Sequence, residues 1–132
     1  MVMNPVVHFE MPAEDKARMR KFYESAFGWK THQLGKEMGE YVLVTTTETD
    51  ENQMVKTPGT INGGFYQKTE DKLSQSPSIV VQVEDIHAAL ERVLRAGGKQ
   101  SGKIEEIPGV GIWASVIDTE GNRLSMMQPK RK

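Results

Sequence analysis

Near the start of the chain His8 and Glu10 stand two residues apart in the run Val6-Val7-His8-Phe9-Glu10. On a β-strand this spacing puts both side chains on one face. An imidazole beside a carboxylate then offers an acid/base pair, or two hydrogen-bonding groups that orient a polar ligand. The chain contains no cysteine, which excludes disulfides, thiolate metal sites and a cysteine nucleophile. His32 lies on an expected edge strand and His87 on the polar side of an expected helix, so both read as surface residues.

The elements that would carry these groups come in two similar sets. The stretch from Val6 to Gly28 has an apolar run, an acidic helix start, an amphipathic helix and a closing glycine; it recurs about seventy residues later, from Ser78 to Gly98. Asp15 corresponds to Asp85, Ala26 to Ala96 and Gly28 to Gly98. In the first copy the strand Val6 to Glu10 is expected to stop at Pro12, and a helix should carry Ala17, Phe22, Tyr23, Ala26 and Phe27 near one face. Strands are expected over Trp29 to Leu34, Tyr41 to Thr47 and Thr60 to Gln67, where Gly63-Gly64 signals either a bulge or a close backbone approach. In the second copy, a strand over Ser78 to Val83 precedes a helix capped by Asp85, with Ile86, Ala89, Leu90, Val93 and Leu94 on one side. Strands over Lys99 to Ile107, Gly111 to Ile117 and Arg123 to Gln128 follow.

This pattern predicts an α+β fold of two βαβββ modules whose sheets could enclose a pocket. Module 1 covers residues 4–67, a polar linker 68–77 and module 2 residues 78–128. At 132 residues the chain is one domain, since halves of this size would be marginal alone. Strand alternation directs Tyr41, Asn62, Tyr66, Gln82, Trp113, Ser115, Ser125 and Met127 toward the same hollow as His8 and Glu10. A register shift of one residue would exchange them for their neighbours. Trp113 either stacks on a flat ligand or fills the core.

Composition narrows the partners. A net charge of -1 provides no broad positive field for nucleic acid, and the basic end Lys130-Arg131-Lys132 reads as a solvated tail. No apolar run approaches the roughly 18 residues of a membrane helix. Without an export signal at Met1 to Pro5, the expected location is the cytoplasm.

Four stretches, Val7-His8-Phe9-Glu10-Met11-Pro12, Phe22-Tyr23-Glu24-Ser25-Ala26-Phe27-Gly28-Trp29, Val81-Gln82-Val83-Glu84-Asp85-Ile86 and Asp118-Thr119-Glu120-Gly121-Asn122, together resemble the vicinal oxygen chelate superfamily. Its members include glyoxalase I, bleomycin-resistance proteins, extradiol dioxygenases and methylmalonyl-CoA epimerase. The resemblance implies two paired βαβββ modules forming an open, mostly antiparallel half-barrel with one central cavity, a homodimer and, in the metalloenzymes, a divalent ion held by a His or Gln and a carboxylate from each module. Only His8 matches such a position: its counterpart is Ser78, no carboxylate lies between Thr57 and Lys68, and Ser125 stands where the family has its Glu. The expectation is therefore a metal-independent, cofactor-free protein that binds a small organic molecule, similar to the bleomycin-resistance branch. The alternative is a glyoxalase-like lyase, an isomerase or a dioxygenase-type enzyme using His8 or Glu10.

Overall fold

The computed structural model describes residues 3–130, with two α-helices and eight β-strands. The α+β class expected from the sequence is the observed one. Two compact units emerge: one spans His8–Pro77, the other joins the start of the chain, through Val7, to residues from Ser78 onward.

In the first unit, β1 (Val6–Ala13) leads to α1 (Lys16–Phe27), then β2 (Lys30–Gln33), β3 (Val42–Thr45) and β4 (Asn62–Gln67). The strand order is β2-β3-β4-β1, with β1 parallel to β4 and the other pairs antiparallel. Strand β1 continues past Pro12, which pairs in register with Tyr66. The expected stop does not occur because Ala13 faces β4, accepting from the Lys68 amide at 2.9 Å, so the nitrogen of its neighbour Pro12 points away from β4 and costs no bond to that strand. Asp15 caps α1 by accepting from the Arg18 amide at 3.0 Å. Gly28 ends the helix with φ 70°, a left-handed conformation that glycine adopts without a Cβ clash.

The core of this unit is Ala13, Val42, Val44 and Phe65, with Phe9, Met11, Met19, Tyr23 and Trp29 packed against it. The helix face differs from the expected one. Met19 and Tyr23, one turn apart, face the sheet, whereas Phe22 and Phe27 are 58% and 63% exposed and Ala17 and Ala26 are exposed. Tyr23 already fills the space over the sheet, stacked on Trp29 at 4.7 Å, so Phe22 meets it only edge-on from outside.

In the second unit, β5 (Ser78–Gln82), α2 (Ile86–Arg95), β6 (Lys99–Ile107), β7 (Gly111–Ile117) and β8 (Arg123–Pro129) adopt the order β5-β8-β7-β6. Here β5 and β8 are parallel and the rest antiparallel. Gln82 also donates its amide to Pro5 O at 2.9 Å, tying the start of the chain to β5. Asp85 accepts from the amides of His87 and Ala88 at 3.0 and 3.1 Å, as an N-cap should. Ile86, Ala89 and Leu90 are buried with Val83, Ala114, Val116 and Met126, while Leu94 is exposed. The linker is not featureless, since Lys72–Ser74 forms a 3₁₀ turn whose Ser74 hydroxyl meets Thr69 Oγ1 at 2.7 Å.

We expect Ile86→Ala to lower unfolding free energy by about 2–5 kcal/mol and Leu94→Ala to change it by no more than about 0.5 kcal/mol. Urea melts of the two variants check the assignment of the buried face of α2. Equal losses would contradict it.

Candidate functional site

The site in the first unit is built on one face of its sheet. In the β1–β4 register His8 pairs with Asn62, Glu10 with Gly64 and Pro12 with Tyr66. On β3, Leu43 pairs with Gly64 and shares that face. Tyr41 lies two residues before Leu43, and its phenol reaches back across β4 to donate to Glu10 Oε2 at 3.0 Å. The path crosses Gly64, where a Cβ would collide with the Tyr41 phenol. On the other face of β4, a Cβ at Gly63 would overlap the Phe9 ring. The glycine pair is therefore a close approach from both sides, and the β1–β4 register runs through it without a bulge.

The loop that presents Tyr41 is held from α1. Lys16 Nζ donates to Gly39 O at 3.2 Å and to Glu40 O at 3.0 Å. Glu40 has φ 54°, an uncommon conformation for a residue with a side chain. Sequence reading missed Lys16 because a lysine in a first helical turn has no distinguishing local signal.

Electrostatics follow from burial. Burial lowers the His8 pKa from its ordinary 6.5, which favours a neutral imidazole. Burial raises the Tyr41 pKa, and the adjacent Glu10 carboxylate and its hydrogen bond raise it further, so the phenol stays protonated as a donor. Two other candidates are engaged in local structure. Asn62 Oδ1 accepts from the Thr46 and Thr47 amides at 2.7 and 3.0 Å, and the Tyr66 hydroxyl donates to Ser76 O at 2.9 Å. His32 and His87 are exposed.

The amino-acid profile of the Glyoxalase/Bleomycin resistance protein/Dioxygenase superfamily matches residues 6–126. The chain belongs to this superfamily. A glyoxylase-like domain-containing protein from Didymella fabae is 31% identical over 116 residues, 86% of this chain and 84% of that protein. Methylmalonyl-CoA epimerase from Streptomyces coelicolor, solved with 2-nitronate-propionyl-CoA, superposes with TM-score 0.70 at 12% identity, covering 98% of this chain and 100% of that one. The epimerase from Mycobacterium tuberculosis gives TM-score 0.64 at 13% identity, over 96% and 88% of the two chains. A superfamily member from Vibrio splendidus gives 0.61 at 15%, over 96% and 99%.

In the second unit of this superfamily member, the remaining candidates share one face. Gln82 pairs with Met127 and Met127 with Trp113; Val80 pairs with Ser125 and Ser125 with Ser115. The hydroxyls of Ser115 and Ser125 are 3.3 Å apart. Glu105, which the sequence reading passed over, pairs with Trp113 across β6 and β7. Strand β6 shifts register between Ser101 and Glu105, so period-two counting along it is unreliable. A hollow of about 160 Å³ lies on this face beside Trp113, Ser115 and Glu105, whereas a larger one of about 820 Å³ lies on the opposite, α2-bearing face. The candidate residues His8, Glu10, Tyr41, Gln82, Trp113, Ser115, Ser125 and Met127 do not line the larger of these two hollows.

The superfamily's metal-ligand set does not fit these residues. Among the described residues no three His, Cys, Asp or Glu side chains converge. Ser125 instead faces Ser115.

Gly64→Ala should displace the Tyr41 phenol from Glu10. Absorbance titration of the chain's three tyrosines should then show the high-pH phenol of the parent moving toward the ordinary value near 10, with circular dichroism unchanged. A second expectation concerns His8, whose folded pKa is depressed: the unfolded chain binds more protons as pH falls below 6.5, so its contribution to stability is present above that pH and lost below it. His8→Gln should flatten the decline of unfolding free energy between pH 7 and pH 5, measured by urea melts.

Proposed function

We propose that this protein binds a small organic molecule on the His8/Glu10/Tyr41 face of its first unit, and that binding requires no metal ion. The observation that carries the reading is the Tyr41–Glu10 hydrogen bond laid over Gly64. It fixes a carboxylate and a phenol on a sheet face that also bears His8 and the exposed Leu43. Carboxylate oxygens accept from a ligand hydroxyl or amine, the imidazole orients a polar group, and Leu43 and Tyr66 offer apolar contact. In the proposal Gln82, Trp113, Ser115, Ser125 and Met127 form a second ligand-contacting face, with Trp113 as its aromatic surface.

The reading extends to assembly and place. We take the protein as a cytoplasmic homodimer; the exposed Phe22 and Phe27 on α1, which buries none of its residues fully, support an apolar contact between copies. No helix among the described residues is long and apolar enough to cross a membrane.

Metal-free bleomycin and methylmalonyl-CoA, the latter being the substrate class of the epimerases named above, are suitable probes. We expect saturable binding of bleomycin by calorimetry, unaffected by a chelator and weakened about tenfold by Glu10→Gln. Chelator-sensitive binding would overturn the reading, as would affinity unaltered by Glu10→Gln. Deuterium incorporation into methylmalonyl-CoA that is lost in Glu10→Gln would replace it with an isomerase. Light scattering should give a dimer mass for the parent and a monomer mass for Phe22→Asp/Phe27→Asp.

A further inference from the structure

On the α2 side of the second unit lies the hollow of about 820 Å³, within the size range of sites for small molecules. Its wall is formed by Val81, Val83, Val93, Val116, Leu124 and Met126. No aromatic ring contributes, so the lining suits a flexible alkyl chain rather than a planar molecule that needs a stacking surface. The sheet residues of this wall point away from Trp113, Ser115 and Gln82, because neighbouring residues on a strand face opposite sides.

The rim is polar and holds two arginines. Arg95 pairs with Glu91 at 3.6 Å, whereas Arg92 has no ion pair among the described residues. Asp118, also on the rim, has its carboxylate occupied: it accepts from the Glu120 and Asn122 amides at 2.8 and 2.9 Å and from Asn122 Nδ2 at 3.0 Å. The carbonyls ending α2 are likewise satisfied, with Ala96, Gly97 and Gly98 donating to Arg92, Leu94 and Val93. Arg92 is thus the cation at the rim left to receive a negative group, and it adjoins an aliphatic wall.

We propose that this hollow binds an amphipathic carboxylate, with its alkyl chain among the valines, Leu124 and Met126 and its carboxylate on the Arg92 guanidinium. A guanidinium suits a carboxylate through paired N–H donors, and the aliphatic lining takes the chain out of water. This site is independent of the His8/Glu10 face, since it lies in the other unit and shares no residue with it.

The test uses the full chain with sodium octanoate and 1-octanol, followed by calorimetry and by methyl spectra that report where the probe sits. We expect saturable one-to-one binding of octanoate with shifts at Val81, Val93 and Leu124. Octanol should bind about tenfold more weakly, and Arg92→Gln should weaken octanoate by a similar factor. Thr119→Trp, at an exposed turn on the rim, should obstruct entry while leaving the thermal melt unchanged. The proposal fails if octanoate gives no saturable binding to folded protein, if octanol binds as tightly, or if shifts fall on the His8/Glu10 face instead. Octanoate affinity unchanged in both variants would also overturn it.

Discussion

Strand β4 has to pass between two aromatic rings. Phe9 lies against it at Gly63 from the core side and Tyr41 at Gly64 from the polar side, and neither position leaves room for a Cβ. On the core side this lets Phe9 join the cluster of Phe65, Val42, Val44, Tyr23 and Trp29. On the polar side it lets a phenol from the β2–β3 loop reach a carboxylate on β1, two strands away in the sheet order β3-β4-β1. The glycines forgo side-chain packing and strand propensity at both positions. What is gained is a fixed donor–acceptor pair on a face that has no helix of its unit packed against it, since Met19 and Tyr23 of α1 join the cluster on the other face.

Burial sets the protonation of this face, and for Tyr41 the adjacent Glu10 adds to it. A buried phenol against a carboxylate resists ionisation, and a partly buried imidazole resists protonation, so near neutral pH the phenol and imidazole of the site stay uncharged. In the proposed function this arrangement would hold a ligand by directed hydrogen bonds, with geometry set by β1 and by the Lys16 clasp on the loop before Tyr41. The proposed carboxylate site in the second unit uses different physics, an aliphatic wall with a guanidinium at its rim.

Much of this architecture was legible because it rests on local rules. The two helices, the acidic start of the first, the cap of the second at Asp85, the stop at Gly28, and the alternation that buries Ala114, Val116 and Met126 all follow from short-range pattern. Where the reading departed from the structure, tertiary context decided. Pro12 stays within β1 because its nitrogen points away from β4, and Phe22 and Phe27 stay outside because Tyr23 on Trp29 fills the space they were expected to occupy. The candidate residues His8, Glu10 and Tyr41 were visible singly, but the bond between Tyr41 and Glu10 depends on a loop with Glu40 in a left-handed conformation, which no periodicity reveals. Asn62 was read as a ligand contact, whereas its side-chain oxygen holds the Thr46 and Thr47 amides. Gly63-Gly64 was the one sequence signal of the crossing, readable equally as a bulge.

The most direct measurement is the pattern of nuclear Overhauser contacts between the two aromatic rings and the α-protons of β4. The account predicts strong contacts from the Phe9 ring to Gly63 and from the Tyr41 ring to Gly64, with neither ring reaching the other's glycine. Contacts exchanged between the two glycines, or a Tyr41 ring with none to β4, would contradict it.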